Sequence, residues 1–118
     1  MLIMRTTGEF YLLLTSINIL FILGKMIRSF ADRETERFFT FGKSLRYPPA
    51  LLKRAAMRLE QLNAATRVED LRMPPSNRLE TLGGDRAGQF SVRINDQWRL
   101  CFRFTDGDAF DVQITDYH

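Results

Sequence analysis

The residues best suited to chemistry are arginines, and several recur at alternate positions. Gly83–Phe104 reads GGDRAGQFSVRINDQWRLCFRF; it contains Arg86, Arg93, Arg99 and Arg103, and Arg78 stands just before it. A guanidinium offers a planar fork of N–H donors that meets a phosphate through two parallel hydrogen bonds. The chain closes on Asp116-Tyr117-His118. A tyrosine ring can stack on a base. A histidine titrates near neutrality and can give or take a proton in phosphodiester cleavage. His118 is the only histidine and Cys101 the only cysteine. These are too few soft ligands for a zinc site. No motif supports them as a nucleophile pair, and a lone strand cysteine also reads as a buried sheet thiol. A single cysteine forms no internal disulfide, which fits a reducing compartment.

Two strands and a turn must position the arginines. With period 2, Phe90, Val92 and Ile94 face one way and Gln89, Ser91 and Arg93 the other. After Asn95-Asp96-Gln97, the residues Trp98, Leu100, Phe102 and Phe104 take the apolar face, and Arg99, Cys101 and Arg103 the polar one. A three-residue turn keeps the apolar faces together and sets Ile94 opposite Trp98 and Arg93 opposite Arg99. Slipping by one residue puts the apolar set in water. Like charges directly opposite repel. An acidic neighbour relieves them, or the face takes an anion.

The rest of the chain supplies a scaffold. Ile27–Phe30 is a strand candidate. Asp32 caps a helix with Glu34 and Glu36 in its first turn and Gly42 as its stop. Leu45–Pro49 links to a second helix over Ala50–Ala65, with Pro48-Pro49 at its entry. Its apolar stripe is Leu52, Ala55, Leu59 and Leu62; Lys53, Arg54, Arg58 and Glu60 lie off it, on a solvated face. Thr66–Leu71 reads as a further helical turn, Arg72–Asn77 as a proline loop, and Arg78–Leu82 as a strand. The glycine-rich Gly83–Gly88 lacks the lysine and following helix of a phosphate-binding loop. Thr105-Asp106-Gly107 reads as a three-residue hairpin loop. Beyond it Phe110, Val112 and Ile114 continue the apolar face, and Asp111 and Gln113 join the polar one. The expected fold is α+β: a small antiparallel-rich sheet with two helices packed on one face.

At 118 residues and a net charge of +3, the chain is one folded domain with only a weak overall bias toward polyanions. The distribution says more. Arg72–Arg103 holds six arginines against Glu80, Asp85 and Asp96, while the tail from Thr105 has Asp106, Asp108, Asp111 and Asp116 and no basic residue. Residues 1–25 stand apart from the domain at 26–118. Phe10–Leu23 is a charge-free apolar run of 14 residues, short of the ~20 a bilayer span needs. Three readings stand for it: an upstream start ahead of a natural start at Met26, a membrane-attached segment, or a cleaved signal. The last lacks a small-residue cleavage site at Gly24-Lys25-Met26. Without Arg5, Glu9 and Lys25 the balance stays slightly basic.

Two accounts fit the arginine face. If Phe104 pairs with Asp108, Arg99 pairs with Gln113 and Asp111 becomes a diagonal neighbour of Arg99 and Arg103. One carboxylate then partly neutralises a solvated face. The other account is a ligand: a row of guanidiniums edged by aromatics suits single-stranded nucleic acid.

Arg78-Leu79, Leu82-x-Gly84-Asp85-Arg86-Ala87-Gly88, Ser91-Val92-Arg93, Trp98-Arg99 and the closing Asp116-Tyr117-His118 together resemble the HigB branch of the RelE-like toxins, the plasmid-maintenance killer proteins. The resemblance runs from Met26-Ile27-Arg28-Ser29-Phe30, similar to the family's usual start, to His118. It implies a RelE-like fold and a ribosome-dependent endoribonuclease of a type II toxin–antitoxin pair. Such an enzyme cuts messenger RNA in the decoding site of the 70S ribosome, beginning with attack of the ribose 2′-hydroxyl. It needs no metal or other cofactor, works in the cytoplasm, and is held inactive by a HigA-like helix-turn-helix antitoxin.

By position, the resemblance gives Arg99 the transition-state charge, His118 a proton transfer, and Asp116 and Tyr117 the positioning of His118 and substrate. It makes Arg78, Arg86, Arg93 and Arg103 RNA-backbone contacts. The sequence departs from the family at one place: some members carry a histidine and a lysine where Glu80 and Gly83 stand here. This departure motivates the alternative, a non-catalytic RNA- or ribosome-binding module of the same fold.

Overall fold

In the computed structural model, which describes residues 27–117, the first helix starts where its capping residue dictates. Helix α1 is Arg33–Phe41; Asp32 Oδ1 accepts from Thr35 N at 2.7 Å. A cap of this kind stabilises a helix by ~1 kcal/mol. Gly42, at φ 74°, ends it by donating its N–H to Phe38 O. Helix α2 is Pro49–Ala64, opened by Pro49, whose missing N–H costs nothing in a first turn.

The apolar stripe of α2 is Leu51, Ala55, Leu59 and Leu62, so Leu51 takes the buried place expected of Leu52, which is half-buried. Leu51 and Leu52 stand four and three residues before Ala55, and helical spacing admits both. Arg58 corrects the expectation of a solvated face. It is buried, and its Nε donates to Arg93 O at 2.8 Å.

The chain then makes short 3-10 turns at Val68–Arg72 and Pro75–Asn77. Buried Asn77 ties this loop down, its Nδ2 donating to Gln61 Oε1, Leu71 O and Met73 O. The strand expected over Arg78–Leu82 shrinks to β1, Glu80–Thr81, because Arg78 sits in the left-handed region at φ 46°. Strands β2 (Phe90–Arg93), β3 (Trp98–Thr105) and β4 (Asp108–Asp116) complete an antiparallel sheet in the order β1-β2-β3-β4. The expected Arg93–Arg99 pairing is present, and the 95–97 turn is held by Asn95 Oδ1, which accepts from Gln97 N and Trp98 N.

The second hairpin differs from its expectation twice. Asp106 and Gly107, both with positive φ, form a two-residue turn, so Thr105 pairs with Asp108. Asp-Gly favours this turn because both positions demand a left-handed backbone. An extra residue is then inserted opposite Phe102, at Asp111 (φ 53°). Together these shifts set Thr115, not Gln113, opposite Arg99. The two-residue turn alone pairs Phe110 with Arg103, which turns Phe110 onto the arginine face rather than the apolar one.

Residues 27–30 form no regular strand. They run parallel to β4 through bridges at Ile27–Ala109 and Phe30–Val112, and Ser29 Oγ accepts from Asp111 N at the bulge. Both helices cover the apolar face, where Phe38, Leu51, Leu59, Leu62, Val92, Ile94, Leu100, Phe102, Val112 and Ile114 form the core. Thr35, fully buried, joins α1 to the last strand: its Oγ1 accepts from Ile114 N at 3.0 Å and meets Tyr47 Oη at 3.1 Å. Among the described residues no helix is long and apolar enough to cross a membrane. The apolar run at 10–23, the start at Met26 and His118 lie outside the described residues.

Candidate functional site

The register writes the helix-free face in rows. Glu80, Ser91, Cys101 and Gln113 make one; Arg93, Arg99 and Thr115 make the next; Arg103 and Phe110 make a third. The middle of this face is not open to solvent. Ser91 and Cys101 are fully buried, and the Arg99 side chain is only 8% exposed. Cys101 is thus the buried sheet thiol.

Arg99 is clamped. Nε donates to Ser91 Oγ at 2.7 Å, and Nη2 donates to Arg78 O at 2.6 Å and to Ser91 O at 3.4 Å. The left-handed turn at Arg78, on the loop anchored by Asn77, aims that carbonyl at the guanidinium. The only carboxylate within ion-pair reach among the described residues is Glu80, Oε1 to Nη2 at 3.7 Å, and Glu80 is itself exposed. The Tyr117 ring lies over Arg99, 5.5 Å from Cζ to ring centroid. Two of the five guanidinium donors, those on Nη1, make no hydrogen bond among the described residues. A guanidinium held by its other edge with donors to spare is a preorganised electropositive group.

The other arginines are placed around it. The glycine-rich loop lays Arg86 on the face, with Nη1 donating to Gln89 Oε1 and Nη2 to Gln113 Oε1. Gly88 is favoured there by its left-handed backbone, φ 89°; a Cβ on it would also meet the tip of the Arg103 side chain, at 2.8 Å from Nη1. Arg103 pairs with Asp111 at 3.3 Å, so the expected acidic neighbour serves Arg103 and not Arg99. Arg93 pairs with exposed Asp96. Arg78 gives its carbonyl to Arg99 while its side chain is exposed.

The C-terminal residues divide. Tyr117 shares the cleft with Arg99, and its N–H donates to Gln97 O at 2.7 Å. Asp116 pairs with Trp98, hence on the other side of the strand, and Asp116 Oδ2 accepts from Gln97 Nε2 at 3.1 Å. Its visible work is to anchor the end of the chain to the 95–97 turn. Ser91, Asn77 and Thr35 were not singled out in the sequence. Only Ser91 left a sign there, in the Ser91-Val92-Arg93 pattern and in its place on the arginine side of β2.

An antiparallel sheet backed by two helices, with arginines on its bare face and an aromatic chain end over one of them, fits the RelE-like class of toxins. The family model for the RelE-like toxin of type II toxin-antitoxin system HigB matches residues 28–118, and the chain belongs to that family. Toxin HigB-1 of Vibrio cholerae is 40% identical over 90 residues, covering 75% of this chain and 95% of that relative. Endoribonuclease HigB of Proteus vulgaris is 32% identical over 93 residues, covering 79% of this chain and all of that relative. Among solved structures, a point mutant of YafQ from E. coli aligns at a TM-score of 0.48 with 13% identity, over 77% of this chain and 93% of that one.

Proposed function

We propose that this chain is an endoribonuclease toxin that cuts messenger RNA on the ribosome, with Arg99 as the residue that meets the scissile phosphate. The observation that carries the reading is the clamped guanidinium under Tyr117, with its Nη1 edge uncommitted among the described residues. Membership of the toxin family and a relative named as an endoribonuclease support it.

In the proposed reaction the ribose 2′-hydroxyl attacks the adjoining phosphorus. A 2′-O–P bond forms and the P–O5′ bond breaks, leaving a 2′,3′-cyclic phosphate and a 5′-hydroxyl. The proton of the 2′-hydroxyl passes to a base, and the departing 5′-oxygen gains one. Arg99 stabilises the extra negative charge on the phosphorane-like transition state. His118 delivers a proton to the 5′-oxygen. Glu80, an exposed carboxylate next to Arg99, is the candidate base. Tyr117 stacks on a base beside the cut. Arg78, Arg86, Arg93 and Arg103 hold the RNA backbone, and Asp116 positions the chain end that carries Tyr117 and His118.

A type II toxin has a cognate antitoxin; we take this one to be a HigA-like helix-turn-helix protein. We take residues 1–25 as a segment ahead of the toxin domain, and the site of action as the cytoplasm, where translating ribosomes are.

The test is induced expression of the Met26-started chain without an antitoxin, with primer extension on translated messages. New 5′ ends and growth arrest are expected. Arrested ribosomes without new ends mean a binding module of the same fold, and unchanged growth removes the toxin reading.

A further inference from the structure

A second basic site lies beyond the Arg99 cleft. A pocket of about 280 Å³ opens between α2 and the proline loop; Arg54, Arg58, Gln61, Ser76 and Arg93 line it beside Met57 and Pro74, with no carboxylate on its wall. Arg54 and Arg58 stand four residues apart on one helix face. Buried Arg58 is fixed by its Nε bond to Arg93 O. Burial, and then the like charges of Arg54 and Arg93, push the Arg58 guanidinium below its ordinary pKa. Three guanidiniums are therefore gathered against their mutual repulsion, and one of them is desolvated. The carboxylate ion-paired with this cluster among the described residues, Asp96 on Arg93, is 97% exposed and screened by water. A cationic cluster built this way is relieved by an anion.

We propose that this pocket seats a phosphate of RNA, separate from the phosphate that is cut. The proposal rests on the RNA reading above and extends it. Arg93 belongs both to this pocket and to the row of Arg99, directly opposite it across the ladder. A nucleic acid strand carries a charge at every nucleotide, so RNA held at Arg99 has further phosphates to offer along the row. Forked guanidiniums and the Ser76 side chain suit phosphate oxygens. The source of the phosphate is either the message or ribosomal RNA.

The experiment measures the salt dependence of binding for the Met26-started chain, with a short single-stranded RNA and, separately, with vacant ribosomes. Each phosphate contact contributes roughly 0.7 to 0.9 to the slope of log affinity against log salt. Arg54→Gln should lower the slope by about that amount, while Lys53→Gln, the same charge change one residue away and off the pocket, keeps the parent value. Arg58→Lys, which keeps charge and stem but loses the fork, should weaken binding; its folding is checked by its urea midpoint. A drop on the short RNA assigns the pocket to the message. A drop on ribosomes alone assigns it to ribosomal RNA. No drop on either, or an equal drop for Lys53→Gln, overturns the proposal, and a fall in antitoxin affinity instead would give the pocket to an acidic peptide. Failure of the nuclease reading shows elsewhere, as treated ribosomes whose messages carry no new 5′ ends.

Discussion

Replacing Arg99 separates catalysis from folding, because the side chain is hydrogen-bonded into the fold and is also the residue proposed to meet the scissile phosphate. In Arg99→Ala, Ser91 Oγ and Arg78 O lose their donors. Leaving such groups unpaired costs about 1–3 kcal/mol each when no water reaches them. Against this, the variant no longer buries a guanidinium whose only nearby carboxylate among the described residues is Glu80 at 3.7 Å, which returns part of the loss. A net destabilisation of about 1–2 kcal/mol follows, small beside the 5–15 kcal/mol of an ordinary domain. The chemical step should suffer more. Removing one preorganised donor to a developing anion costs roughly 2.7–4 kcal/mol, about 10²–10³ in rate. Arg99→Lys keeps the charge, but an ammonium cannot span Ser91 Oγ and Arg78 O and still present a free edge; it should recover less than a tenth of the parent rate. The assay is single-turnover cleavage of ribosome-bound message, with urea unfolding of the same samples. A folded Arg99→Ala that cuts within about threefold of the parent rate refutes the reasoning.

Other predictions follow from single contacts. Tyr117→Phe keeps the ring over Arg99 and should cut at nearly the parent rate, while Tyr117→Ala should raise the half-saturating ribosome concentration in the same assay; base stacking of about 1–3 kcal/mol corresponds to about 5–150-fold. Thr35→Val removes the partner of Ile114 N and Tyr47 Oη from the core and should destabilise by roughly 1–3 kcal/mol, read from the urea midpoint. Asp70 accepts from the backbone N–H groups of Thr66 and Arg67, and these bonds hold its carboxyl below its ordinary pKa. Its contribution is therefore complete above the pKa of an unfolded aspartate and is lost as pH falls through the lowered folded value. Asp70→Asn should flatten that acid limb in a series of unfolding curves.

The strands, caps and helix spans were legible because each rests on local chemistry. Asp32, Gly42, Pro49 and the alternation through Phe90–Phe104 announce themselves. Most of the failures are tertiary; the length of the Asp106-Gly107 turn is local. An Asp-Gly pair specifies its two-residue turn, but the extra residue at Asp111 depends on how 27–30 lies against β4, which no local pattern reveals. The two-residue turn alone turned Phe110 over, and the turn and the insertion together moved Thr115 opposite Arg99. Arg58 read as solvated because charge on a helix normally is; its burial depends on a carbonyl at Arg93, 35 residues away. The candidate site was legible in type and only half in arrangement. The facing of Arg93 and Arg99 followed from alternation and turn length, whereas the Arg78 carbonyl depends on a left-handed backbone set by buried Asn77.

The role proposed for Arg99 is to stabilise the phosphorane-like transition state formed as the 2′-oxygen attacks phosphorus. It is tested most directly by the chemistry of the cut ends. Message fragments from ribosomes treated with the Met26-started chain should carry a 2′,3′-cyclic phosphate on one side and a 5′-hydroxyl on the other, and both should be missing with folded Arg99→Ala. Fragments bearing a 5′-phosphate, or cyclic-phosphate ends undiminished in Arg99→Ala, would contradict it.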